Sequence, residues 1–352
     1  MIIKNGTLRE HALAWLVFIP IFAVFFAITW YMGRFVEAQW DINLLLFLNP
    51  DNYVPVLDEL VILQTDFGMT YLLIISLVWI IGFYATRNRP GGKKWAQRTV
   101  HCIGILVALW HGAGMFVAKR GIFYWSEYEY PIIFLPLALI FLGGFYIAGN
   151  LYIWLDDENQ EKFAQAFWLT LLSLFFVNVI GEDNIKELVA RVRPLHKNNE
   201  AWNGAIRQMP DEIVRGGFSY VSGHTSSFWA QIFIYFMLIK SWKFRIPLLL
   251  LGAFHGYTRI YTTAHFPYCV LMATFFAIPV TAAIYYCFWN HRHLPLISML
   301  LLSGALYQLK PKLTMPLTIA GIAIIWFLIY QYRHWKEPFV PLDNALVCKD
   351  RE

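Results

Sequence analysis

The amino-acid sequence predicts an all-α fold: a polytopic transmembrane helical bundle with about ten spans and both termini in the cytoplasm. Of the 352 residues, 58% are hydrophobic and only 14% are charged, whereas soluble domains carry about 25% charged residues. Apolar runs of roughly 17–25 residues, long enough to cross a bilayer, recur along the chain. The lysines and arginines lie mainly in short loops between these runs, as in cytoplasmic loops. The net charge of +5 therefore indicates membrane topology rather than a nucleic-acid partner.

Residues 1–98 are predicted to form two spans joined by an outer segment. The first span, Ala12–Met32, is too long for a signal-peptide core and is not followed by a small-residue cleavage pattern, so we expect it to be retained. The segment Gly33–Gly68 is too broken by acids to span, and we expect it to lie along the outer surface, partly as an amphipathic helix. The second span, Met69–Ala85, leads into the basic stretch Arg87–Arg98, the strongest cytoplasmic marker in the chain.

Residues 99–289 are predicted to form a core of six spans, and residues 290–352 two more spans and a cytoplasmic tail. The core spans are Thr99–Ala118, Pro131–Leu155, Phe163–Ile180, Ser226–Ile239, Ile246–Tyr257 and Pro267–Phe288. The last two spans are Leu294–Leu309 and Leu313–Tyr330. The acidic run Asp156–Lys162 is predicted to be a short inner loop. Four cysteines, at positions 102, 269, 287 and 348, have neither metal-site nor disulfide spacing, so no metal is expected.

Nearly all polar residues that make chemical sense together lie between Lys186 and Cys269. The first piece is Lys186 and Arg193, which are seven residues apart. On a helix they would share one face about 10.5 Å from each other, where two cations can hold one anionic group and the arginine can bind phosphate oxygens in a bidentate manner. The alternative for this piece is a juxtamembrane basic cluster that contacts lipid headgroups.

Two further pieces carry histidines. Ser222-Gly223-His224 precedes an apolar run, and a helix start there would offer backbone N–H groups and a positive dipole end to an anion. His224 could then donate a proton to a leaving oxygen. Arg259 and His265 flank a turn, and a neutral imidazole at that place can attack phosphorus. Taken singly, each histidine is better explained as an interfacial hydrogen-bonding residue, but the predicted topology places all three pieces on the outer side.

Together the pieces resemble the type 2 phosphatidic acid phosphatase superfamily of membrane lipid phosphatases, whose pattern is K-x6-RP, then PSGH, then SR-x5-H-x3-D. The resemblance covers roughly Phe163 to Phe288. It implies an α-helical bundle, phosphoryl transfer without metal or other cofactor, His265 as the nucleophile and His224 as the general acid. The residues that would bind the phosphate are Lys186, Arg193, Ser222, Gly223 and Arg259.

Three positions depart from the family pattern. Val221 replaces the proline before SGH and Thr258 replaces the serine before Arg259, two changes that keep approximate side-chain size. Cys269 stands where the family has an aspartate that orients the nucleophilic histidine. Loss of the equivalent aspartate in serine proteases costs about 10⁴ in rate, and a thiol is a weak donor and acceptor. Either another group orients His265, or the protein is a slow or non-hydrolytic member. The acids considered for that role are Glu182, Asp183, Asp211 and Glu212.

The expected function is therefore that of a phosphatase of lipid phosphates or pyrophosphates, with its site on the periplasmic face of a bacterial inner membrane. The expected partners are this substrate and membrane lipids. Headgroup selectivity would come from Gly33–Gly68 and Leu195–Tyr220. Two alternatives stay open: a lipid-to-lipid phosphotransferase, and a non-catalytic binder or transporter of lipid phosphates, for which Cys269 is the best support.

Overall fold

The computed structural model describes residues 1–36, 40–52, 54–113, 134–195, 206–207, 218–291, 293–309 and 341–343. In this part of the chain the regular structure is helical, apart from one isolated bridge between Val192 and Phe218, and the predicted all-α fold is confirmed. The helices are α1 (Leu8–Phe35), α2 (Trp40–Leu48), α3 (Leu57–Thr86), α4 (Gly92–Ala113), α5 (Phe134–Trp154), α6 (Asp157–Leu174), α7 (Asp183–Val189), α8 (Gly223–Leu238), α9 (Trp242–Tyr261), α10 (Pro267–Phe288) and α11 (Leu294–Leu309).

Three helical stretches of the described residues are long and apolar enough to cross a membrane: Leu8–Phe35, Asp157–Val189 and Pro267–Phe288. Two shorter apolar stretches, Tyr71–Thr86 and Ala138–Trp154, accompany them. The chain is therefore that of a membrane protein. The count of about ten spans and the cytoplasmic placement of both termini stay predictions, and the last predicted span, residues 313–330, lies outside the described residues.

Helix ends follow local capping chemistry. α10 begins at Pro267, a residue whose missing N–H costs nothing at the first helical position. α8 begins at Gly223, three residues before the predicted span, because the hydroxyl of Ser222 caps it. The prediction of an inner loop over residues 156–162 is wrong: Asp156 is the N-cap of α6 and accepts from the N–H of Asn159 at 2.9 Å. The acids that suggested a loop instead occupy the first helical turn, where the helix dipole favours them.

The outer segment between α1 and α3 does contain the expected helix, but this helix packs against protein. α2 contacts α9 and α10, and both Asp41 and Leu45 are fully buried. These two residues are four apart and so lie on one helical face. α2 is thus held against the C-terminal end of α9 and the N-terminal end of α10 rather than lying only along a surface, which brings a carboxylate into the interior.

The centre of the molecule is formed by α6, α8 and α10, with α1 packed on α10. Between α6 and α7 the chain forms a π-helix, Phe175–Glu182, so that Asp157–Val189 is one continuous helical stretch. The N–H of Asp183 bonds to the carbonyl of Asn178, five residues back. Close packing against α10 occurs at Gly181, where a Cβ would overlap the ring of Phe276. This helix carries the first motif piece to the ends of α8 and α10.

Candidate functional site

The first piece lies where the long helix ends. Lys186 is in α7 and forms an ion pair with the buried carboxylate of Glu182. α7 stops at Val189 because Ala190 adopts a left-handed conformation, with φ of 54°, and its N–H bonds to the carbonyl of Lys186. Arg193 follows in extended chain. The prediction that Lys186 and Arg193 share one helical face is therefore wrong, since the helix ends between them.

The second piece forms the N-terminus of α8. The Ser222 hydroxyl accepts from the backbone N–H and from the hydroxyl of Thr225. At Gly223 an added Cβ would overlap the carboxylate of Glu182, so only glycine lets the helix start approach this acid so closely. His224 follows in the first turn and is half-buried. The first turn of α8, with its positive dipole end, thus lies beside Glu182 and its lysine partner.

The third piece joins α9 to α10. Arg259 is in the last turn of α9 and is buried. The chain reverses through Thr263, whose φ of 56° lies in the left-handed region that β-branched residues rarely adopt. The reversal lets the N–H of His265 donate to the carbonyl of Arg259 at 3.0 Å. His265 is 1% exposed and stands two residues before Pro267, at the mouth of α10.

The three pieces meet. The first contacts the second where the acid paired with Lys186 packs on Gly223. The second joins the third through the N–H of Ser222, which donates to the carbonyl of Cys269 at 3.3 Å. The first joins the third through Nη1 of Arg193, which donates to the carbonyl of Ala264 at 3.4 Å. The cluster thus contains all eight residues singled out in the sequence: Lys186, Arg193, Ser222, Gly223, His224, Arg259, His265 and Cys269.

The ring of His265 is oriented by a backbone carbonyl. Its Nδ1 lies 2.7 Å from the carbonyl oxygen of Ser219 and 3.3 Å from the hydroxyl of the same residue. A carbonyl oxygen can only accept, so Nδ1 carries the proton and donates it there. The lone pair is then on Nε2. This is the arrangement that an imidazole nucleophile requires, and no side-chain carboxylate is needed to produce it.

The acids considered for that role have other positions. Glu182 is held by its pair with Lys186 and by Nδ2 of Asn178, which donates to it at 3.1 Å. The neighbouring Asp183 is the first residue of α7. Asp211 and Glu212 lie outside the described residues. The partner of Nδ1 was missed because a backbone carbonyl leaves no signature in a sequence: Ser219 is recognisable only as a residue shortly before the SGH motif.

The electrostatic surroundings of His265 keep it neutral. Its pKa is held well below the ordinary value of 6.5, first by burial and then by Arg193, Arg259, Lys186 and His224. Each of these groups penalises an added positive charge on the imidazole. The same cations can bind a phosphate group whose phosphorus faces Nε2, and they compensate charge on its oxygens.

The side chain of Cys269 is fully buried behind this ring. Its Sγ lies 3.3 Å from the hydroxyl of Ser219 and 3.6 Å from Nη1 of Arg191. Arg191 was not singled out as a site residue, although it lies only two positions before Arg193. Among the described residues, no cluster of three or more His, Cys, Asp or Glu side chains could hold a metal ion.

Comparison with known proteins locates this cluster within a recognised domain. The model of the PAP2 superfamily matches residues 163–293. No curated protein and no solved structure gives a significant match. The matched range contains all eight residues of the cluster, together with Ser219 and Arg191, whereas α1 and α2 lie outside it.

Proposed function

Because residues 163–293 are a PAP2 superfamily domain, we propose that the protein is an integral membrane phosphatase of lipid phosphates or pyrophosphates that acts through a phosphohistidine intermediate. The family implies phosphatase-type chemistry on phosphate-bearing substrates. The observation that carries the proposal is the hydrogen bond from Nδ1 of His265 to the carbonyl of Ser219. It leaves the lone pair on Nε2, close to the charges of Arg193, Arg259 and Lys186.

The reaction has two steps on this geometry. In the first, the bound phosphate offsets the charges of Arg259, Lys186 and Arg193 that lower the pKa of His224, so that His224 is protonated. Nε2 of His265 attacks phosphorus, the bond from phosphorus to the leaving oxygen breaks, and the His224 imidazolium gives its proton to that oxygen and becomes neutral. In the second, water attacks the phosphohistidine, His224 takes a proton from the water, and inorganic phosphate leaves. Lys186, Arg193 and Arg259 bind the phosphoryl oxygens throughout, and the N–H groups at the start of α8 add to them.

The membrane setting is part of the proposal. We place the site on the outer, periplasmic side of a bacterial inner membrane, within a core of residues 99–289 flanked by residues 1–98 and 290–352. The lipid chains then stay in the bilayer while the phosphate enters the cationic pocket. A phosphotransferase would use the same first step, with the hydroxyl of a second lipid in place of water. A binder without turnover is the alternative that the thiol of Cys269 favours.

The proposal is tested by phosphate release from a panel of lipid phosphates and pyrophosphates, using detergent-purified protein with EDTA present. His265→Ala should abolish release, while His293→Ala, a histidine at the far end of the matched domain, should stay within about two-fold of wild type. Substrate labelled with ³²P should give wild-type protein an acid-labile, base-stable label that His265→Ala lacks. Equal release by His265→Ala and wild type would refute the proposal. Lipid binding without release or label would favour the binder, and transfer to an added lipid alcohol the transferase.

A further inference from the structure

A buried ion pair joins α2, outside the matched domain, to the wall behind His265. The carboxylate of Asp41 is fully buried. Its Oδ2 lies 2.6 Å from Nη2 of Arg191, and its Oδ1 accepts from the backbone N–H of Tyr268 at 2.7 Å. A buried carboxylate is costly unless it is paired and hydrogen-bonded. Both conditions are met here: the ion-pair partner is Arg191, next to the bridge residue Val192, and the hydrogen-bond donor is Tyr268, three residues after His265.

Arg191 in turn contacts three groups around the imidazole. Its Nη1 reaches Sγ of Cys269 at 3.6 Å, and its guanidinium carbon lies 4.1 Å from the centroid of the Phe266 ring. Its backbone carbonyl accepts from the N–H of Ser219 at 2.6 Å. Ser219 is the residue whose own carbonyl holds Nδ1 of His265. Arg191 therefore contacts both Ser219, which accepts the imidazole hydrogen bond, and Phe266, which is adjacent to His265 in the chain.

We propose that Asp41 is a positioning residue of the phosphoryl-transfer site, so that α2 completes the site of the neighbouring domain. This inference rests on the proposed function. Asp41 acts through Arg191: it holds the guanidinium against Cys269 and Phe266, and it offsets the positive charge there. The family pattern has an aspartate at position 269. In this chain position 269 is a cysteine. The carboxylate that pairs with Arg191, the arginine in contact with this cysteine, comes instead from Asp41.

The rest of the segment is anchored in a way that keeps α2 in place. The hydroxyl of Tyr268 donates to the carbonyl of Met32 at 3.1 Å, and that of Tyr220 donates to the carbonyl of Thr29 at 2.7 Å. At the other end of α2, Nδ2 of Asn49 donates to the carbonyl of Tyr261 at 3.0 Å. These bonds fix both ends of the segment to the domain. The carboxylate is thus held in register with Arg191 by more than its own ion pair.

The test compares steady-state kinetics on a short-chain phosphatidic acid in detergent. Asp41→Asn should lower kcat by about 10²-fold, which is the effect of misplacing a catalytic group by about 1 Å. KM should change less than about three-fold, because Asp41 contacts no phosphate-binding residue in the described structure. Asp41→Glu should recover part of the loss. Asp41→Asn combined with Cys269→Asp should recover more, since the double change moves the carboxylate from Nη2 of Arg191 to the position that contacts Nη1. The matched control is Asp51→Asn, an exposed carboxylate of the same segment, which should behave as wild type.

Stability is separated from positioning by thermal unfolding of each variant. If Asp41→Asn does not fold, Asp41→Leu with Arg191→Met removes both charges, a change that buried pairs often tolerate, and its kcat should still be low. Unchanged kcat in a folded Asp41 variant overturns the inference. So does a loss that neither Asp41→Glu nor the carboxylate at position 269 restores, because that is the behaviour of a purely structural residue.

A second readout does not depend on lipid hydrolysis. Orthovanadate mimics the five-coordinate state in which His265 bonds to phosphorus, whereas orthophosphate mimics only the bound ground state. Each stabilises the folded protein against heat by RT ln(1 + [L]/Kd), so the shift of the unfolding temperature with anion concentration gives its Kd. Asp41→Asn should weaken vanadate binding at least about ten-fold and leave phosphate binding within about three-fold; equal effects on both anions overturn the inference. If wild type releases no phosphate from any lipid, the proposed function fails, and the two anions still decide the role of Asp41.

Discussion

Replacement of Gly223 by alanine tests how the site is assembled. The added Cβ would lie 2.5 Å from Cδ and 2.6 Å from Oε2 of Glu182, so the carboxylate has to retreat by about 1 Å to reach an ordinary van der Waals distance. Lys186 is paired with that carboxylate and moves with it. A misplacement of about 1 Å costs about 10²-fold in rate, equivalent to about 2.7 kcal/mol of transition-state stabilisation. Overpacking costs about 1–3 kcal/mol of folding stability. The higher helix propensity of alanine, worth about 1 kcal/mol in a helix interior, offsets less than that here because Gly223 is the first residue of α8.

The expected result is therefore a protein that folds but is slow. The measurement is kcat and KM for phosphate release from a lipid phosphate, with thermal unfolding of the same preparations. Gly143→Ala is the matched control, because that helical glycine has nothing within 4 Å of the added Cβ, and it should keep full activity. Gly223→Ala with kcat within about three-fold of wild type, at an unchanged or lower unfolding temperature, would refute the reasoning that the acid and its lysine move together.

Two further predictions concern the charges around His265 and the ion pair of Asp58 with Arg207. Since His265 attacks only when neutral and its pKa is held below 6.5, kcat/KM should not fall as pH drops through 6.5 but only at lower pH; Lys186→Met removes a cation and should move this acidic limb to higher pH. The unfolded chain binds that proton first, so the free energy of unfolding should decrease as pH falls below about 6.5. If the acidic limb of kcat/KM lies at the same pH in Lys186→Met as in wild type, the assignment of that limb to His265 is contradicted. At the start of α3, Asp58 accepts from both Nη atoms of Arg207 at 2.9 and 3.1 Å, and Asp58→Asn should cost about 3–5 kcal/mol of stability. Thermal unfolding checks it, with Asp51→Asn expected to leave the unfolding temperature unchanged.

The helical fold, the PAP2-type domain and the meeting of the three motif pieces could all be predicted from the sequence. The helix starts at Gly223 and Pro267 follow from residues whose chemistry is local, a capping serine and a proline. The end of α7 does not, because Ala190 in a left-handed conformation carries no compositional signal, and so Arg193 was expected on the wrong element. The prediction of a loop at the acidic run of α6 was wrong for a related reason, since acidic residues suit both a loop and a first helical turn.

Two contacts at the centre of the proposed mechanism were beyond any reading of motifs. The group that orients His265 is a main-chain carbonyl, which every residue possesses, and only the path of the chain selects Ser219. The carboxylate nearest Arg191 comes from a residue 150 positions earlier, in a segment that the family pattern does not cover. Spacing within a motif predicts neighbours along one element. It contains no information about partners that tertiary packing brings from another.

The π-helix before Lys186 has a consequence for how relatives of this domain should be aligned. Such a segment accommodates about one residue more than an α-helix over the same rise, and one residue corresponds to about 100° of rotation around an α-helical axis. A relative with one residue fewer between Phe175 and Glu182 can run straight through as α-helix and still present its lysine on the same side. Length differences confined to this stretch therefore preserve the site, whereas an insertion or deletion of one residue in α7 would turn the lysine away from the α8 N-terminus.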